Sequence, residues 1–491
     1  MNIGMMPVEN ESRKESRAAA GGPDALSLSS AGRIAGRFKG KRVHFIGIGG
    51  CGMSGLARML LDAGAIVSGS DSHPNDQVLD LGRRGAKINR EQSGIALDES
   101  IDLVVRTAAI PTNNGEFLAA QRLGLRQVKY AELLGMVMAD SLGVAVAGTH
   151  GKSTTTAMIA HALVECGADP SILVGGTVPQ LGGSSRSGAG RVFVAEACEF
   201  DRSFHRLHPT VALITNIEED HLDCYADIHE IVASFHAYAR LVPPHGAIIA
   251  GAEDENVHKA LAEVRAPIEW VGLSPEWTWS ARTLGVEKGC YRGEVLHDGR
   301  PIGELILQVP GEHNLRNATM AVAACAACGI DPRRAIEAIN SFLGVDRRME
   351  VVGIVGGATV VDDYGHHPTE IRATLTALRQ RYQPRKLFCV FQPHQHSRTR
   401  FLLEDFAQSF EEADCTIVPD IYFVRDSEAE RQRVNSGDLV ERIQARGRDA
   451  IHLASFTQIV EHLKSRIGPG DLVVTMGAGN VWEIGRDLTA E

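Results

Sequence analysis

The chain lacks any run of some 18 apolar residues, so no membrane-crossing helix is expected. It lacks a surplus of positive charge. Sixty-one acidic residues against 50 basic ones leave a formal net charge of -11, which argues against broad binding to nucleic acid or a membrane surface. Any polyanionic partner must be small and held locally. It also lacks paired cysteine spacing. The nearest to a metal signature is Cys325-x-x-Cys328 in AVAACAACGID, with no second CxxC; a buried helix is expected there rather than zinc. Unpaired thiols point to a reducing, cytoplasmic setting. Residues 1–40 contain no apolar h-region and mix both charge signs, so they read as a flexible tail rather than a targeting segment.

At 491 residues the chain exceeds one ordinary domain. Its rhythm is α/β throughout. KRVHFIGIGGCGMSGLARMLLDAGAIVSGSD reads as strand, glycine turn, helix and strand, one βαβ unit. LGVAVAGTHGKSTTTAMIAHALVECG starts a second module, and strand-like ATVVDD, KLFCVFQP, DCTIVPD and DLVVTMGAG carry a third. Alternating strands and helices predict mostly parallel sheets covered by helices. Three domains in series are expected, at residues 41–143, 144–343 and 344–491: a Rossmann-like domain, a P-loop-type ATPase domain and a second Rossmann-like domain.

Gly47, Gly49 and Gly52 satisfy G-x-G-x-x-G, and Asp71 follows the last of them by 19 residues. That pattern suits a dinucleotide, with glycines for close phosphate approach and an acid for a ribose hydroxyl. By itself it leaves NAD, another nucleotide and a ligand-free turn open, so an NAD-dependent dehydrogenase is one reading. GTHGKSTTT, residues 148–156, says more. A strand-to-helix loop ending Gly-Lys-Ser aims backbone N–H groups and a helix N-terminus at phosphates. Lys152 adds a charge, and the Ser153 hydroxyl suits Mg²⁺. Val146 stands where the strict P-loop pattern has its first glycine, and the plain alternative is a turn with a solvated lysine.

Strand-end carboxylates Glu196 and Glu199 in AEACEFD, and Asn216, Asp220, His221 and Asp223 in TNIEEDHLD, would suit a metal nucleotide. Alone, His221 reads as structural; downstream of a P-loop it reads as functional. DDYGHHPTE and FQPHQHSRTR bring His366, His367, His394 and His396. Zinc is an alternative for these four, but no Cys or acidic pattern of metal-site type accompanies them. In GVDRRME an arginine at a domain junction could clamp phosphate.

Taken in order, HFIGIGGCGMSGLA, GTHGKSTTT, EACEFDRSF, TNIEEDHLD, VPGEHNLRNA, GVDRRME, DDYGHHPTE and FQPHQHSRTR resemble the Mur ligases from about Lys41 to the C-terminus. The resemblance implies an ATP-dependent amide-bond ligase of peptidoglycan precursor synthesis, working through an acyl phosphate with Mg²⁺. It implies that Gly49, Gly50, Gly52, Met53, Ser54 and Asp71 hold the UDP part of UDP-N-acetylmuramate, not NAD. It places ATP at Gly148, Thr149, His150, Gly151, Lys152, Ser153, Thr154, Asn314 and Arg348, and metal at Ser153, Glu196 and His221. Tyr364, His366 and Arg398 match positions near the incoming amino acid. Lys152, Glu196, His221, Arg348 and His366 form the expected catalytic set, with His366 as candidate base.

Departures from the family pattern are Ser153 for Thr, Gln395 for Arg, His396 for Tyr and Asn480 for Asp. No lysine occurs between Lys152 and Lys259, where members adding later residues carry a carbamylated one, so L-alanine is the expected substrate. A murein-tripeptide recycling ligase and a non-enzymatic nucleotide-binding regulator are the remaining alternatives; folylpolyglutamate synthases share the style of the P-loop but not the muramate-binding N-terminal module. A monomer or weak homodimer is expected.

Overall fold

The computed structural model describes residues 30–107, 110–139 and 141–490. Residues 1–29 of the expected tail lie outside them. The end of that stretch is not a tail: Ser30–Phe38 is a helix, and Ile34 and Phe38 are buried in the first core. Their spacing of four residues puts both on one helical face, enough to dock a short segment.

The N-terminal sheet has five parallel strands. Their order is Lys87–Asn89, Ile66–Ser70, Arg42–Ile46, Leu103–Arg106, Gln127–Lys129. The order reverses beside Arg42–Ile46, and the glycine turn follows that strand, where open α/β sheets bind ligands.

The central sheet has ten strands. Its parallel heart runs Trp279–Glu287, Ile268–Gly272, Ala247–Gly251, Val211–Ile214, Leu142–Ala147, Val192–Glu196, Ser171–Val178. The sheet is mostly parallel, as expected, and is extended by an antiparallel arm, Trp279–Glu287 with Cys290–His297 and Arg300–Pro310. Two tight turns make it. Lys288 and Gly289 have φ of +47° and +72°, and Asp298 and Gly299 of +48° and +72°, the left-handed pair that matches strand twist in a hairpin.

The C-terminal sheet has six strands in the order Glu350–Val355, Ala358–Asp363, Leu472–Met476, Leu387–Phe391, Cys415–Val418, Ala450–His452. Only the first is antiparallel.

The cores do not divide as the sheets do. One continuous apolar cluster runs from Ile34 and Phe45 through Leu133, Leu134 and Val137 into Phe204, Phe235 and Ala266, so the N-terminal and central sheets share it. A second cluster lies on the other face of the central sheet and contains Cys325 and Cys328, both buried. The C-terminal sheet has two clusters of its own.

Candidate active site

The loop after strand Leu142–Ala147 turns into the helix Lys152–Glu165. Gly148 at φ +136° and Gly151 at φ +80° are positions that disfavour any Cβ. A Cβ on Gly148 would lie 1.9 Å from Thr215 Oγ1, and one on Gly151 2.8 Å from Asn317 Oδ1. The loop is further held by Asn216, whose carbonyl accepts from Thr149 N–H at 3.0 Å and whose side chain accepts from His150 N–H at 2.8 Å. It opens onto a cavity of ≈ 550 Å³ whose walls include His150, Gly151, Ser153, Thr154, Asn314 and Arg348. Asn314 is fixed there by its Nδ2 donating to Pro310 O at 2.7 Å.

Lys152 donates to Gly148 O at 2.5 Å and to Glu199 Oε1 at 2.9 Å. Burial opposes its charge, but Glu199 outweighs burial and keeps the ammonium above the ordinary lysine range. His221, at φ +54°, turns its Nε2 to Glu199 Oε1 at 3.6 Å and to Asp220 Oδ2 at 3.7 Å. Lys152, Glu199 and His221 therefore form one cluster. Glu196 faces the other way, accepting from Gly175 N–H.

The donor set fits Mg²⁺: Glu199 Oε2 is buried without a hydrogen-bond partner, Ser153 lines the cavity, and hard oxygens suit this cation.

Glu196 lines a second cavity of ≈ 320 Å³ between the N-terminal and central sheets, with Gly50, Gly52, Met53, Lys129 and Phe200. Gly52 sits against Tyr130, whose hydroxyl oxygen would lie 2.5 Å from a Cβ there. Gly49, Ser54 and Asp71 are not among its lining residues. Asp71 accepts from Gly49 N–H at 2.8 Å and from His73 N–H at 2.9 Å; Ser54 Oγ donates to Cys51 O at 3.0 Å.

The C-terminal sheet meets the loop across a polar seam. His150 lies 3.3 Å from Glu370 Oε1 and 3.5 Å from Glu218 Oε2. Burial disfavours its charge, yet the two carboxylates raise it to about 9. His367 Nε2 bonds Glu219 O at 3.0 Å. Arg398, buried, donates through Nε and Nη2 to Asp220 Oδ1 at 2.9 and 2.7 Å. Arg347 is bound to Asp362 Oδ2 at 2.9 Å, which leaves the neighbouring Arg348 facing the larger cavity, 3.9 Å from Glu370. Tyr364 lies under both guanidinium groups, at 5.1 and 5.2 Å. His366 stands edge-on to it at 5.4 Å, and burial lowers His366 to about 4.

Three family models match in series: "Mur ligase family, catalytic domain" at residues 42–141, "Mur ligase middle domain" at 146–325 and "Mur ligase, glutamate ligase domain" at 347–479. The UDP-N-acetylmuramate–L-alanine ligase of Caldanaerobacter subterraneus subsp. tengcongensis is 43% identical over 458 residues, 92% of this chain and 98% of that one. The chain belongs to the Mur ligase family. The enzyme of the same name from Acetivibrio thermocellus is 44% identical over 450 residues, 91% and 95% of the two chains. Among solved structures, the UDP-N-acetylmuramate-alanine ligase of Thermotoga maritima aligns with a TM-score of 0.77 at 26% identity, covering 91% and 98%. A murein peptide ligase from Psychrobacter arcticus aligns at 0.69 and 27%, covering 91% and 98%. Both cover all three sheets, so the α/β series expected from the sequence is the Mur ligase architecture.

Within this Mur ligase, the structure brings Ser153, Asn314 and Arg348 to one cavity, with Lys152 in the adjoining cluster, and Gly50, Gly52 and Met53 to another. The four histidines raised as a zinc alternative do not converge. His366 and His394 rings stand 6.1 Å apart, and His396 turns towards Asp426. Sequence reasoning passed over Glu218, Glu370 and the pairing of Asp220. Their signals, GHHPTE and IEEDH, lay inside quoted motifs, but a pairing of residues 178 apart has no local signature.

Proposed function

We propose that the protein joins L-alanine to the carboxylate of UDP-N-acetylmuramate, converting ATP to ADP and phosphate, in peptidoglycan precursor synthesis. The observation that carries this reading is that two cavities flank one polar cluster. Gly151 and Ser153, on either side of Lys152, line the larger; Lys152 binds Glu199; and Glu196, three residues before Glu199, lines the smaller beside the N-terminal glycine turn. A carboxylate held in the second cavity would meet a γ-phosphate held by the loop. Near-full-length likeness to alanine-adding relatives supports the substrate. An acid freed for an NAD ribose is not what Asp71 provides, because both its oxygens serve backbone N–H groups.

In this scheme the carboxylate oxygen attacks the γ-phosphorus, the bond to the β-bridging oxygen breaks, and ADP departs. The amine of L-alanine then attacks the acyl carbon, and phosphate leaves with the bonding pair of the C–O bond. Catalysis is chiefly positioning and charge neutralisation. Lys152 and Arg348 offset the charge gathered between two anions. Mg²⁺, when bound, would add to that neutralisation, and Ser153, Glu199 and His221 would hold it; Glu196, expected from the sequence as a ligand, instead accepts from Gly175 N–H and lines the second cavity. His366 takes the amine proton, as a neutral imidazole can. Tyr364 and Arg398 border the amine's approach.

The three domains would divide the reactants: UDP-sugar at 41–143, ATP at 144–343, amino acid at 344–491. One chain holds the whole site, which supports a monomer or weak homodimer. Use of ATP and nine free cysteines support the cytoplasm. Among the described residues no helix is long and apolar enough to cross a membrane.

The test is phosphate formation from ATP and Mg²⁺ with UDP-N-acetylmuramate, with and without L-alanine. Turnover needing all three, with a product heavier by one alanine residue, is the expected result. Turnover restored only by L-Ala-γ-D-Glu-meso-diaminopimelate would make this the recycling enzyme, and none with either would sink the ligase reading.

A further inference from the structure

An amino acid delivering its amine still carries a carboxylate, which needs a cation. Most cations at the seam are already committed. Lys152 is held by Glu199 at 2.9 Å, Arg398 by Asp220 at 2.7 Å and Arg347 by Asp362 at 2.9 Å. Arg348 faces Glu370 and the nucleotide cavity.

Arg425 is placed differently. It is exposed, and among the described residues no carboxylate lies within the 4.0 Å of an ion pair. Its guanidinium carbon sits 4.3 Å from the centre of the Phe200 ring, on the facing domain. Phe200 in turn stands edge-on to His221 at 5.2 Å and lines the cavity shared with Glu196. The uncommitted charge is thus one aromatic ring away from the groups around the reacting carboxylate.

The backbone is built to keep it there. Arg425 has φ +60°, a conformation that costs a non-glycine residue about 1 kcal/mol or more and persists only where surroundings enforce it. They do so on both sides. Tyr422 N–H donates to Pro393 O at 2.8 Å and Gln395 N–H to Tyr422 O at 3.1 Å. Asp426 accepts from Ser397 Oγ at 2.6 Å and from His396 N–H. The loop is therefore clamped to the segment that bears His394, Gln395 and Arg398. Arg425 also adds to the burial that depresses His394, which fits a cation beside the site. Gln395 carries no charge and donates to Asp223 Oδ2 at 3.3 Å.

We propose that Arg425 receives the carboxylate of the incoming amino acid, with Phe200 as the platform that orients the guanidinium. The assignment rests on the ligase reading above. It makes the contact conditional on closure, because ring and guanidinium belong to different domains.

The test compares wild type, Arg425→Ala and Arg425→Lys by phosphate formation, with separate KM values for L-alanine, ATP and UDP-N-acetylmuramate. Arg425→Ala raises KM for L-alanine roughly 10- to 100-fold, the span of a lost charged hydrogen bond, and leaves the two nucleotide KM values within about twofold. Arg425→Lys recovers part of the loss. An unchanged KM for L-alanine overturns the assignment, as does an equal rise in all three values, which would mark a structural role. Wild type that turns over without any amino acid removes the ligase reading and this assignment together. Alanine-dependent wild type with an indifferent Arg425→Ala removes the assignment alone.

Discussion

Lowering the pH from 7.5 to 5.5 separates a buried base from an ordinary histidine. Burial holds His366 at about 4, with Arg398 also disfavouring its cation and Glu370 only partly opposing. At pH 5.5 such a group is about 97% neutral, whereas a histidine at its unperturbed 6.5 is about 9% neutral. If His366 takes the amine proton, the rate of amide formation falls by less than about a tenth between these pH values when unprotonated L-alanine is kept constant. An ordinary histidine would lose about tenfold. The same group bears on stability with a definite sign. Between 6.5 and about 4 the unfolded chain binds a proton that folded His366 refuses, so stability falls as pH falls through that window. The whole shift corresponds to about 3 kcal/mol. The direct measurement is the Cε1–H signal of His366 by NMR across pH 3.5–8, identified by its loss in His366→Gln. A midpoint at or above 6 would refute the reasoning, and a tenfold rate loss by pH 5.5 would do so independently.

Gly151→Ala places a Cβ 2.8 Å from Asn317 Oδ1 at φ +80°. The left-handed conformation costs about 1–2 kcal/mol, so KM for ATP should rise about tenfold while KM for UDP-N-acetylmuramate stays put; initial rates with each substrate varied will show it, and equal rises would contradict it. Asp220→Ala strands Arg398, whose side chain is 5% exposed, at about 3–5 kcal/mol. Melting of the nucleotide-bound protein should show Asp220→Ala as the least stable and Asp220→Ala/Arg398→Ala as partly recovered. A double variant no better than the single one means that the arginine finds water or another partner.

What the sequence revealed and what it hid divide along a physical line. The strand-to-helix loop was legible because its backbone leaves no choice: Gly148 and Gly151 must pass Thr215 and Asn317 at positive φ, and such constraints show in residue type. The three-sheet order was legible from alternation of strands and helices. The division of labour between Glu196 and Glu199 was not. The two lie three residues apart beyond one strand, and which of them meets Lys152 depends on the turn that follows, where Asp201 and Arg202 are left-handed at φ +53° and +51°. Asp71 carried a second meaning that its spacing did not show. An acid at that spacing suits a ribose, and here it also satisfies the Gly49 N–H of its own turn. Arg425 belongs to no motif, and only the folded seam shows that its charge is uncommitted.

The apolar cluster from Ile34 to Ala266 ties two of the three sheets into one body. Because the N-terminal and central sheets share it, the walls that would receive UDP-sugar and ATP belong to one body, and phosphoryl transfer needs little rearrangement between them. Tyr364, His366, Arg398 and Arg425 ride on the body with separate cores. Arg348 rides there too, so on the ligase reading the charge that steadies phosphoryl transfer and the groups that would receive the amino acid belong to the same body.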